Sequence, residues 1–173
     1  MEKKTVILLE DGSSYRDFSI GCIDDERYIV FPAKNMSDAE ELLCKCRNVK
    51  VVIADLNLAL STKVLTDHER NIAVDSTLAG WIWICGCIFN AFEIDDVSLK
   101  ENRASLATER ADIKIIVFSE YIDNLEKHIR DNATNEERTV FRDNLNLRLH
   151  LLRKSVFNYD TSSINNLLHR VLS

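Results

Sequence analysis

The chain has 173 residues, of which 46% are hydrophobic and 29% are charged, so it can bury the core of one globular domain. The formal net charge of -6 argues against a general nucleic-acid binder, because such proteins usually present an excess of Lys and Arg. The apolar run from Leu78 to Phe92 is too short to span a bilayer, and the N-terminal apolar stretch is too short for a signal peptide. We therefore predict one cytoplasmic domain over residues 1–173, without nucleic-acid or membrane partners.

Five short apolar segments predict β-strands. The three strongest are rich in β-branched residues and too short for helices, which is typical of strands that are covered on both faces. In chain order the predicted strands are Thr5–Leu9, Tyr28–Phe31, Val49–Leu56, Ile113–Ser119 and Arg148–Leu152, and the second and fifth have the weaker patterns.

Segments with helical spacing lie between these strands. Ser37 and Glu40 form a capping-box pattern that predicts the start of one helix. Thr161–Leu172 has apolar residues at helical spacing, with Asp160 or Thr161 as the predicted N-cap. Strands that alternate with helices in this way predict an α/β fold with a parallel sheet and helices on both faces.

Three further segments have a structural and a functional interpretation. The aromatic run GWIWICGCIFNAF, residues 80–92, predicts a buried core helix, with an added dimer or partner surface as the alternative. The charged tract Asp123–Arg142 predicts a solvated helix face. Four of the five cysteines form two Cys-x-Cys pairs, and we interpret them as reduced, buried thiols because zinc sites usually need different spacing and loops that turn back on the metal.

Polar residues stand at the predicted carboxyl ends of four strands. In open α/β sheets this edge is where ligands bind. Carboxylates there can hold a hard cation or act as nucleophiles, and a lysine can neutralise phosphoryl oxygens. A carboxylate directly after four consecutive apolar residues, as at Asp55, is costly unless it is paired or metal-bound. The residues at these ends are Glu10, Asp11, Asp55, Asn57, Ser119 and Lys154.

With these residues in this order, the chain resembles a response-regulator receiver domain. The resemblance is carried by VILLED (residues 6–11), VVIADLNLA (51–59), IIVFS (115–119) and LLRKSVF (151–157). It implies a doubly wound, flavodoxin-like sheet of five parallel strands in the order 2-1-3-4-5. It also implies a stand-alone signalling domain.

The resemblance also assigns roles to the site residues. Asp55 is the implied phosphoacceptor. The implied ligands of Mg²⁺ are Asp55 itself, Asp11 directly, Glu10 through a metal-bound water, and Asn57 through its backbone carbonyl.

The remaining implied roles concern the phosphoryl group and the partners. Ser119 would hydrogen-bond the phosphoryl group, and Lys154 would pair with the acyl phosphate. The implied donor is a histidine kinase or a phosphotransfer protein, and a switched surface would dock an unknown downstream protein, with a homodimer left open. Any enzymatic activity would be limited to self-phosphotransfer and autodephosphorylation.

The sequence departs from the receiver pattern in several places. The connection between the third and fourth strands is unusually long, which implies a helical insertion over residues 61–111. Glu120 stands where a small residue is usual, Leu151 where an aromatic switch residue is common, and Ser155 where a proline is usual. These departures favour an alternative, a pseudo-receiver that binds partners without regulation by phosphate.

A third hypothesis is a phosphatase of the haloacid-dehalogenase type. Such an enzyme also uses an aspartate nucleophile at a strand end. It needs a second acidic residue two positions later, and Asn57 occupies that position here.

Overall fold

The computed structural model describes residues 2–61, 63–73, 76–154 and 161–173. Its five strands form one sheet in the order β2-β1-β3-β4-β5, and every neighbouring pair is parallel. This confirms the predicted doubly wound architecture. The ends of the observed strands lie within two residues of the predicted ends. The strands are β1 Lys4–Leu9, β2 Tyr28–Ala33, β3 Val49–Ala54, β4 Lys114–Ser119 and β5 Leu149–Arg153.

Helical segments fill the connections between the strands. The α-helices are α1 Ser13–Cys22, α2 Met36–Lys45, α3 Asp67–Ala73, α4 Ala79–Trp83, α5 Val97–Glu109, α6 Ile122–Asp131, α7 Asn135–Asn144 and α8 Thr161–Leu172. A 3₁₀ turn, Ser76–Leu78, precedes α4, and a π-helical segment, Ile84–Ile88, continues it.

The helices cover the two faces of the sheet unequally. In β1, Val6 and Leu8 belong to a small core with Ile23 and the apolar side of α8. Ile7 and Leu9 point to the other side, into a larger core that contains residues from α2 to α7. The alternation of side chains along a strand therefore divides the molecule into a thin layer and a thick layer.

The start of α2 differs from its sequence-based prediction. The N-cap is Asn35, whose side chain accepts a hydrogen bond from the backbone N–H of Asp38 at 2.9 Å. The predicted capping box from Ser37 to Glu40 is therefore wrong. Glu40 instead accepts a hydrogen bond from Trp83 Nε1 at 3.2 Å. The predicted extent of α8 is confirmed, although Asp160 lies outside the described residues.

The aromatic run of residues 80–92 is helical and buried up to Ile88, which confirms the predicted core helix over that part of the run. Trp81 and Trp83 are both 0% exposed, and every residue from Ala79 to Ile88 is buried. The run therefore lies inside the thick layer, and the alternative of an added surface made by its tryptophans is wrong. Within the described residues no single helix is long and apolar enough to cross a membrane, and only the bent pair Asp67–Ala73 and Ser76–Ile88 passes that test by length and composition.

A buried carboxylate connects this core helix to α7. Glu137 is 0% exposed and accepts hydrogen bonds from Trp81 Nε1 at 2.9 Å and from the backbone N–H of Thr134 at 2.9 Å. His128 Nε2 lies 2.7 Å from the same carboxylate. The prediction of a solvated face for the tract Asp123–Arg142 is therefore only partly right, because α6 and α7 both contribute side chains to the core.

A second buried carboxylate is held inside the connection between β3 and β4. Glu69 is 0% exposed and forms an ion pair with Arg103, which is 2% exposed. A Cβ atom at Gly86 would lie 1.9 Å from Glu69 Oε1, so only glycine leaves room for this pair. The pair fixes α3 against α5, because separating it would leave two charges buried without partners.

The five cysteines are free, and they only partly match the prediction of buried thiols. Cys22, Cys85 and Cys87 are buried, whereas Cys44 is exposed and Cys46 is partly exposed. Burial raises the pKa of the Cys85 and Cys87 thiols well above the usual value, so both stay protonated.

Candidate functional site

The site forms where β1 and β3 end side by side. Leu9 pairs with Ala54 in the sheet, so the residues that follow, Glu10 and Asp55, leave the sheet next to each other. The backbone N–H of Asp55 donates to the carbonyl of Leu9 at 3.0 Å. The parallel register thus brings two carboxylates together that are far apart in the sequence.

Lys154 enters the same place from the end of β5. Its backbone N–H donates to the carbonyl of Ser119 at 3.0 Å, which fixes where the side chain starts. Its Nζ atom donates to a carboxylate oxygen of Glu10 and, at 2.9 Å, to Asp55 Oδ2. Lys154 is only 5% exposed, so these contacts are shielded from solvent.

The charges in this cluster compensate one another. Burial alone would lower the pKa of Lys154, but the charge of Asp55 and the hydrogen bonds to Glu10 and Asp55 outweigh it and raise the pKa. Lys154 is therefore a permanent cation at neutral pH. Burial raises the pKa of Glu10, whereas the contact with Lys154 acts in the opposite direction.

Local contacts hold Glu10 in place. Its Oε1 atom accepts a hydrogen bond from the backbone N–H of Gly12 at 3.0 Å, and its backbone carbonyl accepts one from the Arg16 guanidinium at 2.8 Å. The rings of Tyr15 and Phe118 lie 5.2 Å and 5.5 Å from Lys154 Nζ, so the ammonium is enclosed by aromatic faces. Sequence analysis missed Gly12, Arg16 and Tyr15, although a glycine directly after two acidic residues was a usable signal.

A cavity of about 180 Å³ opens above these groups. Its lining contains most of the predicted site residues, and also residues of α1 and of the segment after β4. The lining residues are Glu10, Asp11, Gly12, Tyr15, Asp55, Asn57, Glu120, Tyr121 and Lys154. A larger cleft of about 800 Å³, between α3 and α6, contains none of the predicted site residues.

Ser119 is the predicted site residue that does not line this cavity. It is 0% exposed, and its Oγ atom accepts a hydrogen bond from the backbone N–H of Tyr121 at 3.2 Å. Glu120 and Tyr121 line the cavity instead. A role for Ser119 toward a phosphoryl group would require its hydroxyl to leave this local contact.

The donor chemistry of the cavity suits a magnesium ion. In the described part of the chain, no group of three or more His, Cys, Asp and Glu side chains is arranged to hold a metal ion. Mg²⁺, however, is commonly held by one or two carboxylates and keeps several waters. Asp11 is exposed, and its Oδ2 atom accepts a hydrogen bond from the backbone N–H of Ala59 at 3.3 Å. Asp11, Asp55 and the carbonyl of Asn57 are therefore donors of the required kind.

The backbone of the candidate acceptor packs directly against α4. The backbone N–H of Gly80 donates to the carbonyl of Leu56 at 2.9 Å. A Cβ atom at Gly80 would lie 1.9 Å from the carbonyl oxygen of Asp55, so this close approach requires glycine. Asp55 Oδ1 also accepts a hydrogen bond from the backbone N–H of Leu56 at 2.7 Å. The long connection after β3 thus contributes to the position of Asp55, which the sequence did not indicate.

Comparison with solved structures identifies the fold. The chemotaxis response regulator CheY4 of Vibrio cholerae is similar with a TM-score of 0.57 and 15% identity, over 98% of this chain and 99% of that one. A response regulator receiver protein from Pseudomonas putida is similar with a TM-score of 0.55 and 18% identity, over 98% of each chain. One from Sinorhizobium medicae WSM419 has a TM-score of 0.55 and 12% identity, over 99% and 95%. The chain therefore has the receiver fold, which confirms at the level of fold the resemblance seen in the sequence.

Sequence comparison adds nothing to this assignment. No protein-family model matches the chain. No curated protein matches it either. The function is consequently argued from the site itself.

Proposed function

We propose that this chain is a receiver-type signalling domain that accepts a phosphoryl group on Asp55 in a Mg²⁺-dependent reaction. The observation that carries the proposal is the buried contact of Lys154 with both Glu10 and Asp55 beneath a cavity open to Asp55. A lysine in this position can neutralise the acyl phosphate that forms on Asp55. Asp11, Asp55 and the Asn57 carbonyl would hold the ion, with Glu10 acting through a bound water.

The reaction needs one nucleophile and one stabilising cation from the chain. A carboxylate oxygen of Asp55 attacks phosphorus and forms a new P–O bond, while the bond from phosphorus to the donor breaks and the leaving group takes the electron pair. Bound Mg²⁺ would supply electrostatic stabilisation of the phosphoryl oxygens. Lys154 neutralises charge beside Asp55, and water later hydrolyses the acyl phosphate.

The receiver fold supports a proposal about the partners. A histidine kinase or a phosphotransfer protein is the proposed donor, and an unidentified downstream protein is the proposed receiver of the signal. The proposed domain covers residues 1–173, with the segments of residues 61–111 as an insertion in the fold. We place its action in the cytoplasm, on proteins and not on nucleic acid or membrane, and a homodimer is compatible with this role.

The test is direct. With MgCl₂ and acetyl phosphate, we expect intact-mass spectrometry to show one added phosphoryl group, and beryllofluoride to bind as its mimic. The Asp55→Asn variant and a sample with EDTA should show neither. Wild-type protein that gains no adduct and has no measurable Mg²⁺ affinity would contradict the proposal.

If wild-type protein gains no adduct in this experiment, the alternative function of a pseudo-receiver is favoured. A pseudo-receiver is favoured by three observations: Ser119 does not line the cavity, Glu120 does line it, and Leu151 stands where the resemblance implies an aromatic residue. Such a module would bind its partner equally well with and without acetyl phosphate. A binding assay with a candidate partner under both conditions therefore separates the two functions.

A further inference from the structure

The proposed phosphoryl-transfer chemistry does not require a carboxylate at the position of Glu120. It directly follows Ser119 at the end of β4, and it lines the same cavity as Asp55 and Lys154. Its Oε1 atom is fully buried and has no hydrogen-bond partner among the described residues. An unpaired carboxylate oxygen in such a place is unfavourable for folding, so a local structural role does not account for it.

The cation of the site cannot compensate Glu120. Lys154 Nζ already donates to Glu10 and to Asp55. The cavity lining thus contains four carboxylates and a single ammonium group, and among the described residues neither Glu120 nor Asp11 forms an ion pair with a cationic side chain. The field at the cavity is therefore negative before any ligand enters.

An incoming phosphodonor adds more negative charge to this cavity. A phosphoryl group carries roughly 1.5 to 2 negative charges near neutral pH. It must approach Asp55 through a space of about 180 Å³ that Glu120 shares. In such a confined, partly desolvated space a like charge is much less screened than in bulk water.

We propose that Glu120 is a specificity-determining residue that opposes phosphoryl transfer from small anionic donors to Asp55. This inference rests on the proposed function. Glu120 slows phosphoryl transfer from donors that carry a high negative charge. It slows transfer less from donors whose negative charge is partly neutralised by a positive group of their own. The charge at position 120 thereby slows phosphorylation by small acyl phosphates. A protein donor that gains binding energy by docking on the chain can still phosphorylate Asp55.

The experiment compares two donors of different charge. With acetyl phosphate, an oxygen of Asp55 attacks phosphorus, the P–O bond to the acetyl group breaks, and acetate leaves with the electron pair. With phosphoramidate, the P–N bond breaks and protonated nitrogen leaves as ammonia, and this donor carries a compensating positive charge. Both reactions give the same acyl phosphate, so intact mass measures both.

The test variant is Glu120→Gln, which keeps the size of the side chain and removes its charge. We expect the rate with acetyl phosphate and Mg²⁺ to rise roughly tenfold, and the rate with phosphoramidate to rise less. The matched control is Glu126→Gln, which removes the same charge from an exposed position on α6. Its rates should stay within about twofold of wild type, because solvent screens that charge.

A second measurement does not depend on phosphorylation. In metal-free buffer with EDTA, Glu120→Gln should melt at a higher temperature than wild type, because it removes one of the clustered carboxylates. Glu126→Gln should melt at the wild-type temperature. A melting temperature of Glu120→Gln equal to or below that of wild type would contradict the like-charge contact on which the proposal depends.

The outcomes separate this proposal from the proposed function. If wild type and Glu120→Gln are phosphorylated on Asp55 at the same rate, the role of Glu120 is wrong and the receiver function stands. If neither is phosphorylated, the receiver function fails and the role of Glu120 with it. If Glu120→Gln loses both Mg²⁺ affinity and phosphorylation, Glu120 is a ligand of the ion, and the proposal is overturned.

Discussion

His150 is a residue whose ionisation couples pH to stability outside the candidate site. It lies in β5, and its Nε2 atom is buried without a hydrogen-bond partner in the described part of the chain. Burial lowers its pKa below the usual value, and the charges of Lys114 and Arg170 act in the same direction. The unfolded chain therefore binds a proton on this histidine more readily than the folded one.

The sign of the effect follows from that difference. As pH falls through the ordinary histidine range near 6.5, the unfolded state gains the proton first and the folded state loses stability. We expect the urea midpoint to decrease between pH 7.5 and 5.5, and to decrease less in His150→Gln. The control is His169→Gln, at an exposed position of α8, which should follow wild type. Equal slopes for wild type and His150→Gln would contradict the prediction.

Some residues of the candidate site could be predicted from the sequence, and others could not. Glu10, Asp55 and Lys154 were predictable because strand ends in a parallel sheet must share one edge, and the structure does bring them together. The orientation of Ser119 was not predictable. Its hydroxyl has a local backbone donor at Tyr121, and only the geometry of the turn after β4 decides between that donor and the cavity.

At the scale of elements, α4 and the loop after β3 form one packed unit. Gly80 lies at the start of α4, against the carbonyl oxygen of Asp55. We expect Gly80→Ala to reduce the free energy of unfolding by about 2–4 kcal/mol, because the added methyl group must displace backbone atoms. Urea denaturation measures the loss, and the rate of acetyl phosphate labelling should fall as Asp55 shifts.

Gly21→Ala provides the matched control for this prediction. Gly21 lies in α1, and a Cβ atom there would meet nothing within 4 Å. Alanine is a better helix former than glycine, so this change should be neutral or stabilising by up to about 1 kcal/mol. A Gly80→Ala protein as stable as Gly21→Ala would show that the loop of Asp55 does not depend on α4.

The elements themselves were predictable to different degrees. The three strongest strands were found because their runs are rich in β-branched residues and too short for helices, and no strand end moved by more than two residues. The cap of α2 was missed because Asn35 and Ser37 both suit such a position and the local pattern does not decide between them. Glu40 appeared to complete a capping box, but Trp83, which is distant in sequence, binds its carboxylate.

At the scale of the whole molecule, the two faces of the sheet have different compositions. The thin face is covered by α1 and α8, whereas the thick face contains the long connection between β3 and β4 and the carboxyl groups of three glutamates, two of them fully buried and one partly buried. Glu40 of α2 and Glu137 of α7 bind Trp83 and Trp81 there, so α2 and α7 are each fixed to that connection, whereas the pair of Glu69 and Arg103 joins α3 to α5 within it. The connection is thus integral to the core, and the site lies at the edge where its first residues meet β1.

Ion binding at that edge should stabilise the entire fold. A ligand that binds only the folded state adds RT ln(1 + [L]/Kd), so Mg²⁺ at one hundred times its Kd adds about 2.7 kcal/mol. For a chain of 173 residues this corresponds to a rise in melting temperature of about 5–10 °C. Differential scanning calorimetry with and without EDTA measures it, and Asp11→Asn and Asp55→Asn should each remove most of the rise.

The control for ion binding must change the charge of the surface without changing the cavity. Asp17 is exposed on α1 and is not among the cavity residues, so Asp17→Asn lowers the negative charge by the same amount. We expect this variant to keep the full increase with Mg²⁺. If Asp11→Asn kept it as well, the ion would be bound elsewhere. A rise that depends on Asp11 and Asp55 but not on Asp17 would place the ion above β1 and β3, where Lys154 already neutralises part of the charge.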